Sequence, residues 1–351
     1  MNETMFHHFE AQAQACDALG SPFTARLCRA ATAALDRQTE TGRRILGWQG
    51  NLDADAVALR LCGGLHALVL SRADEDLAAI YPPNEADEAA LPKRLAAALQ
   101  GHDAFLVRFM ASPPQTNEIA RSGMLLPGFL RIARKYGLPL ALREIGSSAG
   151  LNLNFDRFHY RYGFREWGDG GSPVRLSPEM RSNPPQLDGV LSVASRGGCD
   201  IAPIDLADPA RLLRLRSYIW ADQSARLARL DAAIRIAERF PNKIVAADAV
   251  DFVEKGLAGR LPGQAFVLFH SIMWQYMPEA TGSAVDKLMH RAGEAATGNS
   301  PVAWLRMEPS GPKPRHATLS LTSWPGGRTE HLADCDYHGR WINWTAGPDP
   351  A

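Results

Sequence analysis

Leu140-Ala-Leu-Arg-Glu144-Ile-Gly146-Ser147-Ser148-Ala149-Gly150-Leu-Asn152 compresses a strand, a glycine turn and a helix start into thirteen residues. A short apolar run ends beside an acid, two glycines four apart free the backbone, and Leu151, Leu153 and Phe155 open the next element. Such a turn brings main chain close to a ligand, and two chemistries fit it. One is binding of a nucleotide-like ligand, which the glycines admit while Glu144 organises the loop. The other is a hydrolase nucleophile elbow, because residues 146–150 also spell G-x-S-x-G with Ser148 as nucleophile.

Outward from this stretch, the sequence changes character at Gly137. Beyond it, strand-length apolar runs alternate with helical patterns, the signature of an α/β protein with a mostly parallel sheet. The runs are 140–145, 217–221, 243–247, 265–271 and 302–307. Two late runs, 318–323 and 340–344, leave no room for a long helix between them and are expected to form an antiparallel final pair. Between them and the opening stretch, a Gly/Pro-rich insertion at about 155–216 carries the alternation Phe158-His-Tyr160-Arg-Tyr162-Gly-Phe164, which predicts an extra strand. Before Gly137 the pattern is helical almost throughout. Ser21-Pro22 starts a helix carrying Phe23, Leu27, Ala30, Ala31 and Ala34, and 57–70 and 95–110 repeat the spacing. Residues 115–136 read as a helical segment interrupted at Pro127-Gly128. The expected organisation is an all-helical N-terminal domain or cap over 1–137, then a sheet domain over 138–351.

Composition narrows the function. Of 351 residues 46% are hydrophobic, enough for a sizeable core, while Lys+Arg and Asp+Glu are both 38. Zero net charge gives no overall pull toward nucleic acid or anionic membrane, and the arginines at 211, 214, 216, 226, 229 and 235 alternate with leucines as solvated helix faces do. Five scattered cysteines form no C-x-x-C, and His7, His8 and His102 have no metal-ligand spacing, so neither a disulfide framework nor a metal site is expected. No apolar run approaches the ~18 residues of a membrane span and the N-terminus lacks a signal-peptide pattern, so a cytoplasmic protein with a small-molecule partner is expected.

Two further acids complete a constellation. Asp222 follows the run 217–221, Asp248 follows 243–247, and the 26 residues between them span about one helix and one strand. Glu144-Ile-Gly146-Ser-Ser-Ala-Gly150, Asp222 and Asp248, in this order, resemble the glycine loop, ribose acid and adenine-side acid of class I S-adenosylmethionine-dependent methyltransferases. In place of that family's middle glycine stands Ser148. The resemblance implies a Rossmann-like sheet and S-adenosylmethionine as cofactor. It places Glu144, Gly146, Ser147, Ser148, Gly150 and Asn152 around the cofactor's amino-acid end, Asp222 at its ribose and Asp248 at its adenine. The chain as a whole is similar to a bacterial family known as domain of unknown function 2332. That similarity is carried by Pro114-Gln115-Thr116-Asn117-Glu118, by the glycine loop, and by Phe269-His270-Ser271-Ile-Met-Trp274-Gln275-Tyr276, and it implies no activity.

Catalytic candidates lie at the end of the fourth run. His270 is a possible general base, assisted by Glu118 or Tyr276, and Trp274 could stack on an acceptor. Gln115, Asn117 and Arg121 would line the acceptor's side of the pocket. Structural roles compete with each: Asp222 as a helix cap, Glu118 with Arg121 as a helical ion pair, His270 as a bonded sheet-edge residue. The expected function is methyl transfer to a small molecule. A non-catalytic sensor of the same ligand, or a serine hydrolase using Ser148 with Asp248 and His270 or His316, remain as alternatives.

Overall fold

The computed structural model describes residues 3–84, 87–311 and 315–347. They form two compact units: Met1–Thr116 with Asp205–Ala228, and Asn117–Ile204 with Arg229–Ala351. Among the described residues no helix is long and apolar enough to cross a membrane.

The first unit holds α1 (Glu3–Ala18), α2 (Pro22–Ala34), α3 (Glu40–Leu46), α4 (Val57–Leu70), α5 (Glu75–Ala78), α6 (Leu91–Gly101) and α7 (Asp103–Met110). Helix α4 is its centre: nearly every residue from Val57 to Leu68 is buried, as its all-round apolar sequence requires. The 95–110 pattern is two helices, broken at His102. Asp103 begins the second, and its carboxylate accepts the Glu40 and Thr41 amides at the start of α3, both at 2.8 Å.

In the second unit, α8 (Ser122–Tyr136) precedes β1 (Leu140–Ile145). The expected interruption at Pro127 does not occur. Proline cannot donate to the Gly123 carbonyl, and the Tyr162 hydroxyl donates to that oxygen instead at 2.6 Å, so the helix continues. The insertion contains β2 (His159–Tyr162), β3 (Arg165–Gly168) and β4 (Arg175–Leu176), a three-stranded sheet, then β5 (Glu179–Met180) and β6 (Val193–Asp200). Strand β2 is the extra strand expected from the alternation there.

Helix α9 (Pro209–Ser217) returns to the first unit, and α10 (Ser224–Arg239) leads back to the second. The run 217–221 is therefore not a strand. Pro209 at the first helical position and Asp208, whose carboxylate accepts the Ala210 and Arg211 amides, start a helix that ends at Ser217. Its apolar residues are buried for another reason: Tyr218 packs against α4, where a Cβ on Gly63 would lie 2.5 Å from the ring.

The remaining elements are β7 (Ile244–Ala246), α11 (Ala249–Ala258), β8 (Ala265–Ser271), α12 (Glu279–Glu294), β9 (Val302–Pro309), β10 (Ala317–Trp324), β11 (Arg328–Cys335) and β12 (Trp341–Trp344). The fold is α/β, with a mixed nine-stranded sheet in the order β5-β12-β11-β10-β9-β8-β1-β6-β7. The two late runs are not paired with each other. A polar strand, β11, fills the interval and pairs antiparallel with both β10 and β12.

From β9 to β7 neighbouring strands are parallel. The chain leaves β1 for β6 and β7 on one side, then crosses to β8 and β9 on the other. This reversal at β1 and β8 is the switch point at which open α/β sheets form a crevice beyond their carboxyl ends. Register also assigns faces. Glu144 is level with Phe269, whose ring meets Phe129 of α8 at 5.0 Å, so both point to the α8 layer. His270, one residue on, faces the opposite layer with Trp304.

Candidate functional site

The loop after β1 is built on three left-handed residues, Gly146 (φ 65°), Ser148 (φ 55°) and Gly150 (φ 69°). At Gly146 a Cβ would stand 2.8 Å from the Met273 side chain, and at Gly150 it would collide with Ile244. Ser148 adopts the backbone conformation that glycine favours. The expected helix after the loop is a 3-10 segment, Leu151–Arg157, kinked at Asn154.

Most of the loop's amides are engaged inside the protein. Ser147 N–H donates to Cys199 O (3.0 Å), Ser148 N–H to Asp200 Oδ2 (2.9 Å), Gly150 N–H to Ser147 O (2.7 Å) and Leu151 N–H to Asn117 Oδ1 (3.0 Å). A phosphate cradle needs such amides unengaged, so a dinucleotide-type loop does not fit. The loop presents acceptors instead. Glu144 is 3% exposed and its Oε2 has no hydrogen-bond partner among the described residues. Burial, then the nearby charge of Asp200, pushes its carboxyl well above the usual carboxylate range, with Arg121 opposing.

Asp200 is the residue that sequence reasoning missed. It ends β6, the parallel neighbour of β1, and its second oxygen accepts the Ala202 amide at 3.0 Å. The signal was hidden because Val193-Ala-Ser-Arg-Gly-Gly-Cys-Asp200 lacks an apolar run. Packing explains that composition. A Cβ on Gly198 would approach Ser147 Oγ to 2.6 Å, and Arg196 leaves the strand to form a bidentate pair with Asp156 at 2.6 and 2.7 Å. Ile201, directly after Asp200, is 82% exposed.

The structure places the other predicted residues as follows. Asp248 follows β7 and caps α11, accepting the Val250 amide at 2.8 Å. Asp222 does not follow a strand. It belongs to the first unit, where its carboxylate accepts the Ser21 hydroxyl and, at 2.8 Å, the Phe23 amide, capping α2. Gln115 also belongs to the first unit, half-buried near its boundary.

Asn117, Glu118 and Asn152 form one buried lattice. Asn152 Nδ2 donates to Glu118 O (3.2 Å), Ser122 Oγ donates to Asn152 Oδ1 (2.7 Å), and Glu118 Oε1 accepts the Ala120 amide (3.1 Å). Arg121 ties the lattice to neighbouring chain, donating to Tyr337 O (2.9 Å) and Ser271 O (3.3 Å). Ser147 Oγ donates to Cys199 O at 3.1 Å. Ser148 Oγ is buried and, among the described residues, has no hydrogen-bond partner and no base bonded to it.

His270 is 1% exposed; its Nδ1 meets Glu308 Oε1 at 2.6 Å and its ring stacks on Trp274 at 5.0 Å. Glu308, at the end of β9, lies just past the run recognised in the sequence. Tyr276 is 76% exposed. His316 stands 3.4 Å from Asp334, among the antiparallel strands.

Comparison with known proteins gives a family and no activity. Residues 6–344 match the family described as an uncharacterized protein conserved in bacteria, domain of unknown function 2332, and the chain belongs to it. No curated protein and no solved structure matches.

Proposed function

We propose that this member of an uncharacterized bacterial family binds S-adenosylmethionine at the Glu144 and Asp200 end of the parallel strands and is a methyltransferase for a small molecule. One observation carries the reading: two neighbouring strand ends supply carboxylates beside a turn whose amides are largely engaged internally. A ligand bearing cationic groups and a ribose diol matches an acceptor-rich site, and a pyrophosphate does not. The crevice position at the switch between β1 and β8 supports it further.

In this reading Asp200 takes the ribose hydroxyls in place of Asp222. Ile201 covers one face of the adenine, and Asp248 stands at its edge. Glu144, with Gly146, Ser148 and Gly150 shaping the loop, receives the cationic amino-acid end. A cation there completes the unpartnered Glu144 oxygen and draws that carboxyl back toward its charged form. Asn117, Glu118, Asn152 and Arg121 hold the loop's outer wall. The cofactor supplies an electrophilic methyl group; Met273, packed on Gly146, bounds the acceptor's side.

The test is to incubate the protein with methyl-labelled S-adenosylmethionine and a bacterial small-molecule extract. Label in a small-molecule product and formation of S-adenosylhomocysteine, both lost in Asp200→Asn, are expected. If the folded protein neither binds nor converts S-adenosylmethionine, the reading fails; binding without transfer would make it a sensor.

A further inference from the structure

We propose that the opposite layer of the sheet holds a second site, in which Glu308 positions His270 to accept a proton or hydrogen bond from a small protonated amine. The carboxylate at 2.6 Å from Nδ1 fixes the tautomer with the proton on Nδ1. Nε2 then carries the lone pair, and this atom is buried with no partner among the described residues. An unpartnered buried acceptor of this kind is costly for folding alone.

The surroundings point to the ligand's class. Trp274, stacked on the imidazole at 5.0 Å and 19°, lines a cleft of about 330 Å³ with Met277, Glu279, Gly282, Asp286 and Lys287. On the lining, Glu279 and Asp286 stand against Lys287, with His290 Nδ1 3.4 Å from Asp286 and the Arg306 guanidinium also in its field. Glu308 beneath adds a third carboxylate, and with the indole this balance favours an organic cation over an anion. Behind Trp274 lies Trp304, its centroid 5.5 Å away, so the cleft floor is aromatic.

The turn that carries Trp274 is strained and held. Ile272, a β-branched residue, sits at φ 51°, and Glu308 accepts the Met273 amide at 3.1 and 3.2 Å with its two oxygens. Glu308 thus fixes both the imidazole and the turn above it. Trp274, Gln275 and Tyr276 form a single 3-10 turn with no fully buried residue, and the indole, packed between His270, Trp304 and Gly282, must move for an amine to reach Nε2. The amine's N–H is shared with, or passed to, Nε2; the Nδ1 proton stays on the imidazole against Glu308.

Phenethylamine is the probe, with phenethyl alcohol as its uncharged counterpart, followed by titration and by the ring ¹⁵N shifts of His270. The amine is expected to bind about tenfold more tightly than the alcohol and to move the Nε2 resonance. Asp286→Asn, on the cleft wall, should weaken the amine several-fold without changing the alcohol. Glu308→Gln should abolish the Nε2 response while the fold persists by circular dichroism. Equal affinities for amine and alcohol, no binding of either at 10 mM (on the order of the weakest specific affinities), or an unmoved Nε2 shift would overturn the proposal.

Discussion

Residues 193–200 and 217–222 both end in aspartate, and the sequence makes the wrong one look like a strand. The second, Ser-Tyr-Ile-Trp-Ala-Asp, is apolar because it turns into a helical core, where Asp222 caps α2 from far along the chain. The first, rich in glycine and carrying an arginine, is an interior strand, between β1 and β7, and its composition follows from neighbours that press close to its backbone. A short apolar run reports burial; it does not report which element is buried.

The comparison can be broken at several points. The largest effect is expected at Gly150, where the loop crosses Ile244. Gly150→Val adds a β-branched side chain at φ 69° and a collision, so it should destabilise the sheet unit by about 3 kcal/mol or more. Denaturant titration reads this directly, and a near-neutral result would show that the loop is not seated as described.

Asp222→Ala should cost about 1–2 kcal/mol, the usual loss of a helix cap, and should leave S-adenosylmethionine binding unchanged. Weakened binding in a folded variant would restore Asp222 to the proposed cofactor site.

Glu144→Gln should act in the other direction. Glu144's carboxyl is pushed up on folding, so its stability contribution is complete below the usual carboxylate range and declines as pH rises through the folded value. Glutamine lacks that decline. The variant should match wild type near pH 4 and gain melting temperature above it, by roughly 2–4 °C per kcal/mol relieved, while losing ligand affinity. A buried acid kept only for folding would show no such loss of affinity.

Much of the sheet was legible: the strands at 140–145, 265–271 and 302–307 carry buried apolar residues, and the short strand within 243–247 carries half-buried ones. What escaped was polar by necessity. Strand β11 is Arg-Thr-Glu-His at its start and buries only its later residues, and β6 gives up side chains for close approach. Glu144, Gly146, Ser148 and Gly150 could be singled out as candidates from the turn's own chemistry. Asp200 and Glu308 could not, because an acid at a strand's carboxyl end is recognisable only once the strand is. His270 was found as a titratable group, but its facing away from Glu144 follows from register alone.

The most direct test of the central claim is calorimetric titration of S-adenosylhomocysteine into wild type, Asp200→Asn and Asp222→Asn. The account predicts binding by wild type and by Asp222→Asn with equal affinity, and a loss of at least about tenfold, the worth of one hydrogen bond to a charged group, in Asp200→Asn. Binding that survives Asp200→Asn and falls in Asp222→Asn would contradict it.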